Sequence, residues 1–188
     1  MVGTVARFLS HTISPAGIAA LVLVVLLMSG RAPAGMVAAG AVVFVMLPAV
    51  VLTAIARRTQ TLDIYDPTPS VRQTMLMYGT GCYLVGYVVS EASMAPPELR
   101  WMAATFCAGA AIVWGVDRTW KISIHSTGVG GGAVMLLTAL PDAWPLWGSL
   151  PALVAWARYR LGAHDLAQLA AGTALGVALA LSLRGLFL

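Results

Sequence analysis

Apolar residues in this chain come in continuous runs separated by short polar breaks, without a helical or alternating period of polar positions inside them. The runs are Ile13–Ser29, closed by Gly30-Arg31-Ala32-Pro33; Met36–Ala56, closed by Arg57-Arg58; Gln73–Val89; Trp101–Val116; Thr127–Leu140; Trp144–Ala157; and Leu166–Leu183. A helix with no polar face is one whose surroundings are lipid or other helices. Crossing the hydrocarbon takes roughly 17–25 such residues. The first four runs and the last are read as crossing it. The fifth and sixth are short and reach that length only by extending through the polar motifs at their ends. The pattern predicts an all-α, polytopic membrane helical bundle with six or seven transmembrane helices, as one domain over residues 1–188. The stretch Met1–Ser10 is too polar to span. Arg7 with a face of Val5, Phe8 and Leu9 predicts a helix lying in the interface.

Composition makes the same case independently. Of 188 residues, 60% are hydrophobic and 10% charged, against roughly 25% charged in an average soluble domain. Mean hydropathy is +0.87. A soluble domain this small keeps too much surface to hide that much apolar area, which excludes a soluble enzyme, a nucleic-acid-binding domain and a disordered regulator. The net charge of +4 comes from 11 Lys+Arg against 7 Asp+Glu. The cations sit singly or in pairs at run ends, where they meet headgroups, so the basic balance does not point to nucleic acid. Cys82 and Cys107 lie inside runs, without metal-ligand or redox spacing, and read as small hydrophobes.

If each run crosses once, the N-terminus and the segments Arg57–Arg72, Asp117–His125 and Arg158–Asp165 share one side. Three polar segments far apart in sequence then converge, and they hold most of the ionisable residues. Small residues four apart, Gly128 with Gly132 and Gly172 with Gly176, fit close helix packing. For Gly172 and Gly176 packing is the favoured reading. For the glycines that follow His125, packing and a functional role in admitting a ligand to the backbone carry equal weight.

Two segments carry candidate chemistry. One is Asp117-Arg118-Thr119-Trp120-Lys121-Ile122-Ser123-Ile124-His125, running into Gly128 and Gly130–Gly132; the other is Arg158-Tyr159-Arg160-Leu161-Gly162-Ala163-His164-Asp165, running into Gln168. Each joins cations, a histidine and a helix start. A phosphate group needs fixed positive charge, which Lys121 and Arg158 supply with Arg118 and Arg160 in reserve. A helix N-terminus attracts anions, and two imidazoles can divide the work of nucleophile and acid. Any one cation at a span end is ordinarily an anchor, and any one interfacial histidine ordinarily structural. The functional reading rests on their co-occurrence. Asp117 reads as neutralising Arg118 or Lys121, Arg31, Arg57 and Arg58 as setting orientation, and His11 is assigned no role.

The spacing Arg158-x5-His164-x3-Gln168 resembles the third signature of the type 2 phosphatidic acid phosphatase superfamily, the membrane lipid phosphatases. Ser123-Ile124-His125 resembles the second, and Leu169-Ala170-Ala171-Gly172 looks like the helix that follows the third. The similarity covers about a third of the chain. It implies that His164 attacks phosphorus to form a phosphohistidine and that His125 protonates the leaving oxygen and then helps activate water. Arg158 and Ser123 would hold phosphoryl oxygens, with Lys121 adding charge and no metal or other cofactor required. The chain departs from the signatures at Gln168, where the family has Asp, at Ile122 and Ile124 in the second signature, and at Ala157 in the third. Gln168 resembles the polyprenyl diphosphate phosphatase branch, and its carbonyl can still accept the imidazole Nδ1–H. The first signature is absent as written; Arg118 and Lys121 replace it in the favoured reading, Arg58 and Arg72 in the alternative.

The expected function is hydrolysis of a lipid phosphate or diphosphate, polyprenyl type favoured, by a protein whose partners are that lipid and the bilayer. The alternatives are a non-catalytic lipid-phosphate-binding or transport protein, or a phosphotransferase of the same superfamily. The expected location is the plasma membrane, with the site on the cytoplasmic side by the distribution of Lys and Arg.

Overall fold

The computed structural model describes residues 2–61 and 67–188, the side chain of Val2 excepted. Among them there is no strand, and every apolar run is a helix. The helices are α1 (Val2–Thr12), α2 (Pro15–Met28), α3 (Ala34–Ala41), α4 (Leu47–Arg58), α5 (Pro69–Ala92), α6 (Pro97–Val116), α7 (Ile124–Ala139), α8 (Trp144–Arg160) and α9 (Leu166–Phe187). A π-helical turn, Val42–Met46, joins α3 and α4 into one helix. Its cause is Pro48. Proline offers no N–H, and its ring crowds the carbonyl four residues back, on Phe44; the wider turn relieves both. Asp63 and Asp66, which the sequence reading set on the side of the polar segments, lie outside the described residues.

Local chemistry sets the ends. Ser14 caps α2, its Oγ accepting from Gly17 N–H at 3.2 Å with Pro15 in the first turn. Ser123 caps α7 in the same way. At the end of α8 the chain turns through Gly162, whose φ of +68° suits a residue without Cβ. Ala163 N–H bonds to Arg158 C=O at 3.1 Å and Gly162 N–H to Tyr159 C=O at 3.0 Å, closing the helix C-terminus.

Helix α7 is the centre of the bundle, packed by α9, α8, α2 and α6. Its face toward α9 is glycine because backbone meets backbone there. A Cβ on Gly176 would stand 2.0 Å from Thr127 O, one on Gly172 2.6 Å from Ser123 O, and one on Gly130 2.6 Å from Thr173 O. Gly132 faces Ile18 and Gly128 faces Pro15. The glycines after His125 are therefore packing residues, and the alternative that they admit an anion to the backbone is set aside: other helices occupy the space they leave. Trp101 ties α6 to α9, its indole N–H donating to Ala180 C=O at 2.9 Å.

Among the described residues three helices are long and apolar enough to cross a membrane: Ala34–Arg58, Pro97–Val116 and Leu166–Phe187. The pair Gly3–Thr12 and Pro15–Met28, bent by 55°, adds a fourth if it is one span. This is fewer than the six or seven that the runs predict. Helix α7 has 16 residues and α8 has 17, short of the ~20 that cover ~30 Å of hydrocarbon. Helix α5 is long, but Arg72, Gln73, Glu91, glycines and tyrosines dilute it. The N-terminal stretch is helical as predicted. Val5 and Phe8 are exposed, while Ala6 and Ser10 are buried where α1 packs on α8.

Candidate functional site

The three polar segments converge at one end of the bundle. Arg72, in the first turn of α5, is buried and reaches the end of α6: its Nε donates to Asp117 Oδ1 at 2.8 Å and to Oδ2 at 3.0 Å. Its Nη2 donates to Ile122 C=O at 2.8 Å, in the linker before α7. Gln73 adds a donor to Asp117 Oδ2 at 2.9 Å. Asp117 thus pairs with Arg72, not with Arg118 or Lys121 as the sequence reading has it. A planar guanidinium with several donors suits a site where a carboxylate and a carbonyl must be held at once.

Arg158, in the last turn of α8, is 1% exposed. Its Nη1 donates to Ser10 Oγ of α1 at 3.1 Å. Six residues later, past the Gly162 turn, comes His164, 5% exposed. The spacing follows from the turn: Arg158 sits in the closing turn of α8, the chain reverses at Gly162, and His164 enters the interior just before α9. Asp165 caps α9, its Oδ1 accepting Gln168 N–H at 2.8 Å, while Asp165 N–H donates to Gln168 Oε1 at 3.2 Å. The same Oε1 lies 3.0 Å from His164 Nδ1. A backbone N–H can only donate, so the amide atom it meets is oxygen, and His164 Nδ1 must carry the proton. In the neutral ring the lone pair is then on Nε2, which is buried and makes no hydrogen bond among the described residues. Burial first, then the charges of Arg158, Arg72 and Lys121, lower the pKa of His164 to about 4, against the opposing hydrogen bond from Gln168.

His125, in the first turn of α7, is 7% exposed. The charges of Arg158, His164, Arg72 and His11 all act on it. The two imidazoles therefore share one electrostatic environment, with two buried arginines common to both. Lys121 is half-buried, and its charge reaches His164. Ser123 is fully buried, and its Oγ accepts from Ser126 N–H at 3.3 Å and from Ser126 Oγ–H at 3.1 Å. Arg118 lies outside the cluster: it is exposed, its guanidinium carbon 4.6 Å from the centre of the Trp114 ring. The structure thus sets Arg118, which the sequence reading placed among the phosphate-binding cations, against Trp114 and outside the buried cluster. Arg72, the alternative in the sequence reading, is buried here, and its charge and that of Lys121 both act on His164. Sequence reasoning left out Ser10 and His11, and carried Arg72 only as an alternative. Their signal was weak, since none lies in either histidine motif.

A cavity of about 350 Å³ opens beside the cluster. Arg72 and His125 line one end, and Met75, Leu76, Leu52 and Tyr83 line its apolar length. The arrangement offers buried positive charge, one imidazole with a defined lone pair, a second imidazole, and an apolar space leading away from them. Among the described residues no group of three or more His, Cys, Asp and Glu could hold a metal ion. Comparisons with protein-family models, with characterised proteins and with solved structures find no match to this chain.

Proposed function

We propose that the chain is an integral membrane phosphatase that hydrolyses a lipid phosphate or diphosphate, polyprenyl type favoured, through a phosphohistidine on His164. One observation carries the reading: His164 and His125 are both buried within reach of the charges of Arg158 and Arg72, and His125 and Arg72 line one end of an apolar cavity. The resemblance to the lipid phosphatase signatures adds to it.

In this reading the phosphoryl oxygens lie against Arg158 and Arg72, and Lys121 adds charge from the rim. The lone pair on His164 Nε2 forms the N–P bond as the bond from phosphorus to the lipid oxygen breaks. That oxygen takes a proton from His125, in the imidazolium form that an arriving phosphate favours. Water then attacks phosphorus, His125 accepts its proton, and the N–P bond breaks to release phosphate and restore both rings. Gln168 acts by holding Nδ1–H, so that positive charge developing on the His164 ring meets a carbonyl dipole. Ser123 Oγ accepts from Ser126, which leaves its own O–H to donate to a phosphoryl oxygen. The altered first and second signatures favour a second reading, a protein that binds lipid phosphate without hydrolysing it.

Purified protein in detergent, given polyprenyl diphosphate with EDTA present, is expected to release phosphate, and vanadate to block the release. His164→Ala and His125→Ala should each abolish it, and His164→Ala should also lose an acid-labile phosphoryl label. Full activity in both variants would overturn the site. Saturable lipid-phosphate binding without release from any of several substrates would select the second reading. We place the site on the cytoplasmic side of the plasma membrane; a cysteine introduced at Asp142 should then react with an impermeant label from outside intact cells.

A further inference from the structure

The cavity beside His125 has a counterpart further along the same cleft. The helix running through α3 and α4 lies antiparallel to α5, and two spaces open between them. The first, about 350 Å³, begins at Arg72 and His125 and passes Met75 and Gly79 to Tyr83. The second, about 140 Å³, lies toward the other end and is lined by Met36, Val43, Phe44, Gly86 and Val89. Between them stand two rings. Phe44, 2% exposed, stacks on Tyr83 with centroids 6.3 Å apart and planes 18° from parallel. Tyr83 in turn meets Phe106 at 5.7 Å. Two local features seat Phe44 there. The π-helical turn adds a residue to its turn of helix and so changes the face it presents by about 100°. Gly86 leaves a hollow on α5, where a Cβ would stand 2.5 Å from the Phe44 ring.

We infer that this cleft receives one hydrocarbon chain of the anionic lipid, and that the Phe44–Tyr83 pair is the stop that sets how much of the chain it accepts. The inference rests on the reading of the Arg72–His125 end as the seat of the phosphate. The charge at that end and the apolar lining beyond it select an amphiphile with its anionic head at the histidines. From Arg72 to Tyr83 the cleft follows α5 for about 16 Å, at ~1.5 Å of rise per residue. An extended chain advances ~1.2 Å per bond, so the rings stop it after roughly thirteen carbons. Removing the Phe44 ring joins the two spaces. Filling the first at Gly79, where a Cβ meets nothing within 4 Å, stops the chain after roughly eight carbons.

The test uses n-alkyl phosphonates, which keep the charge and the tail but have no scissile P–O–C bond. Binding of chains of roughly eight, twelve and sixteen carbons, bracketing the extended lengths above, is measured by calorimetry on wild type, Phe44→Ala and Gly79→Leu in one detergent. Partition of a given chain into the micelle is the same for every variant, so ratios between variants report the cleft alone. Phe44→Ala should raise the affinity for the longest chain relative to the shortest about tenfold, and Gly79→Leu should lower it about tenfold, since each buried methylene changes affinity about fourfold from water and less from a micelle. An unchanged ratio in folded Gly79→Leu overturns the inference even if Phe44→Ala fails to fold. Failure of wild type to bind any of the phosphonates overturns both the stop and the anion site. Shifted ratios without phosphate release would keep the cleft and remove the catalytic reading. Release with unshifted ratios would remove the cleft alone.

Discussion

Gln168 Oε1 lies 3.0 Å from His164 Nδ1 while also accepting the N–H of Asp165. One side chain both completes the cap of α9 and dictates which nitrogen of the preceding histidine bears the lone pair. Gln168→Ala should keep the fold but free the ring, lowering phosphate release on the order of 10–100-fold, the usual effect of losing a partner that orients a reacting ligand. Gln168→Glu should retain most of the activity and move the acid limb of the pH profile upward, because a carboxylate beside the ring favours its charged form. A merely structural role for Gln168 would leave that limb in place.

The pKa of His164, lowered to about 4 by burial and neighbouring arginines, has a signed consequence for stability. Between about pH 6.5 and 4 the unfolded chain binds a proton at this ring that the folded chain does not. Stability is therefore complete above about 6.5, falls as the pH drops toward 4, and loses nothing more from this group below that. The change is on the order of 3 kcal/mol. Thermal unfolding in detergent across this range should show it, and His164→Gln should flatten the slope.

Arg72 and Asp117 form a buried ion pair at 2.8 Å that joins the start of α5 to the end of α6. Asp117→Leu leaves a buried guanidinium without its carboxylate and should cost about 3–5 kcal/mol of stability. The double variant Arg72→Met with Asp117→Leu should regain much of this while losing phosphate release. The double-mutant cycle, by thermal unfolding and by activity, separates the two roles.

Ser10 is the link between α1 and Arg158. Ser10→Ala removes a hydrogen bond to a charged group, about 1.5–3 kcal/mol of positioning. It should reduce kcat/KM for the lipid phosphate by about tenfold or more and lower the melting temperature by several degrees, at about 2–4 °C per kcal/mol. Equal kcat/KM in the variant would mean that Arg158 is held without the Ser10 hydroxyl.

Helices α7 and α9 meet backbone to backbone, where a Cβ at Gly176 would stand 2.0 Å from Thr127 O. Gly176→Ala must push the helices apart and should cost about 1–3 kcal/mol or more. Gly185→Ala, where nothing lies within 4 Å, should be neutral by the same melting measurement.

Among the described residues every apolar run became a helix, and two of the breaks between runs became turns that Gly30 and Gly162 close. Helix formation in such runs depends on local composition, caps and glycine, all of which are written in consecutive residues. The spacing from Arg158 to His164 and Gln168 was legible for the same reason: it lies within one turn and one cap. The partner of Asp117 was not. Arg118 and Lys121 are its neighbours along the chain, yet the carboxylate turns to Arg72, forty-five positions away in sequence. Nor could the glycines after His125 be assigned, since packing and ligand access ask for the same residue.

The linear order of residues determined the helices, their approximate ends, the gathering of polar segments at one end, and the two histidines with Arg158 as the candidate chemistry. Packing alone decided that Arg72 and not Arg118 joins them, that Ser10 holds Arg158, and that Phe44 and Tyr83 divide a cleft in two. Helix formation follows from interactions three or four residues apart. These choices depend instead on which faces of distant helices meet, and that depends on the rotation of each helix about its axis and on where a glycine allows one backbone to approach another.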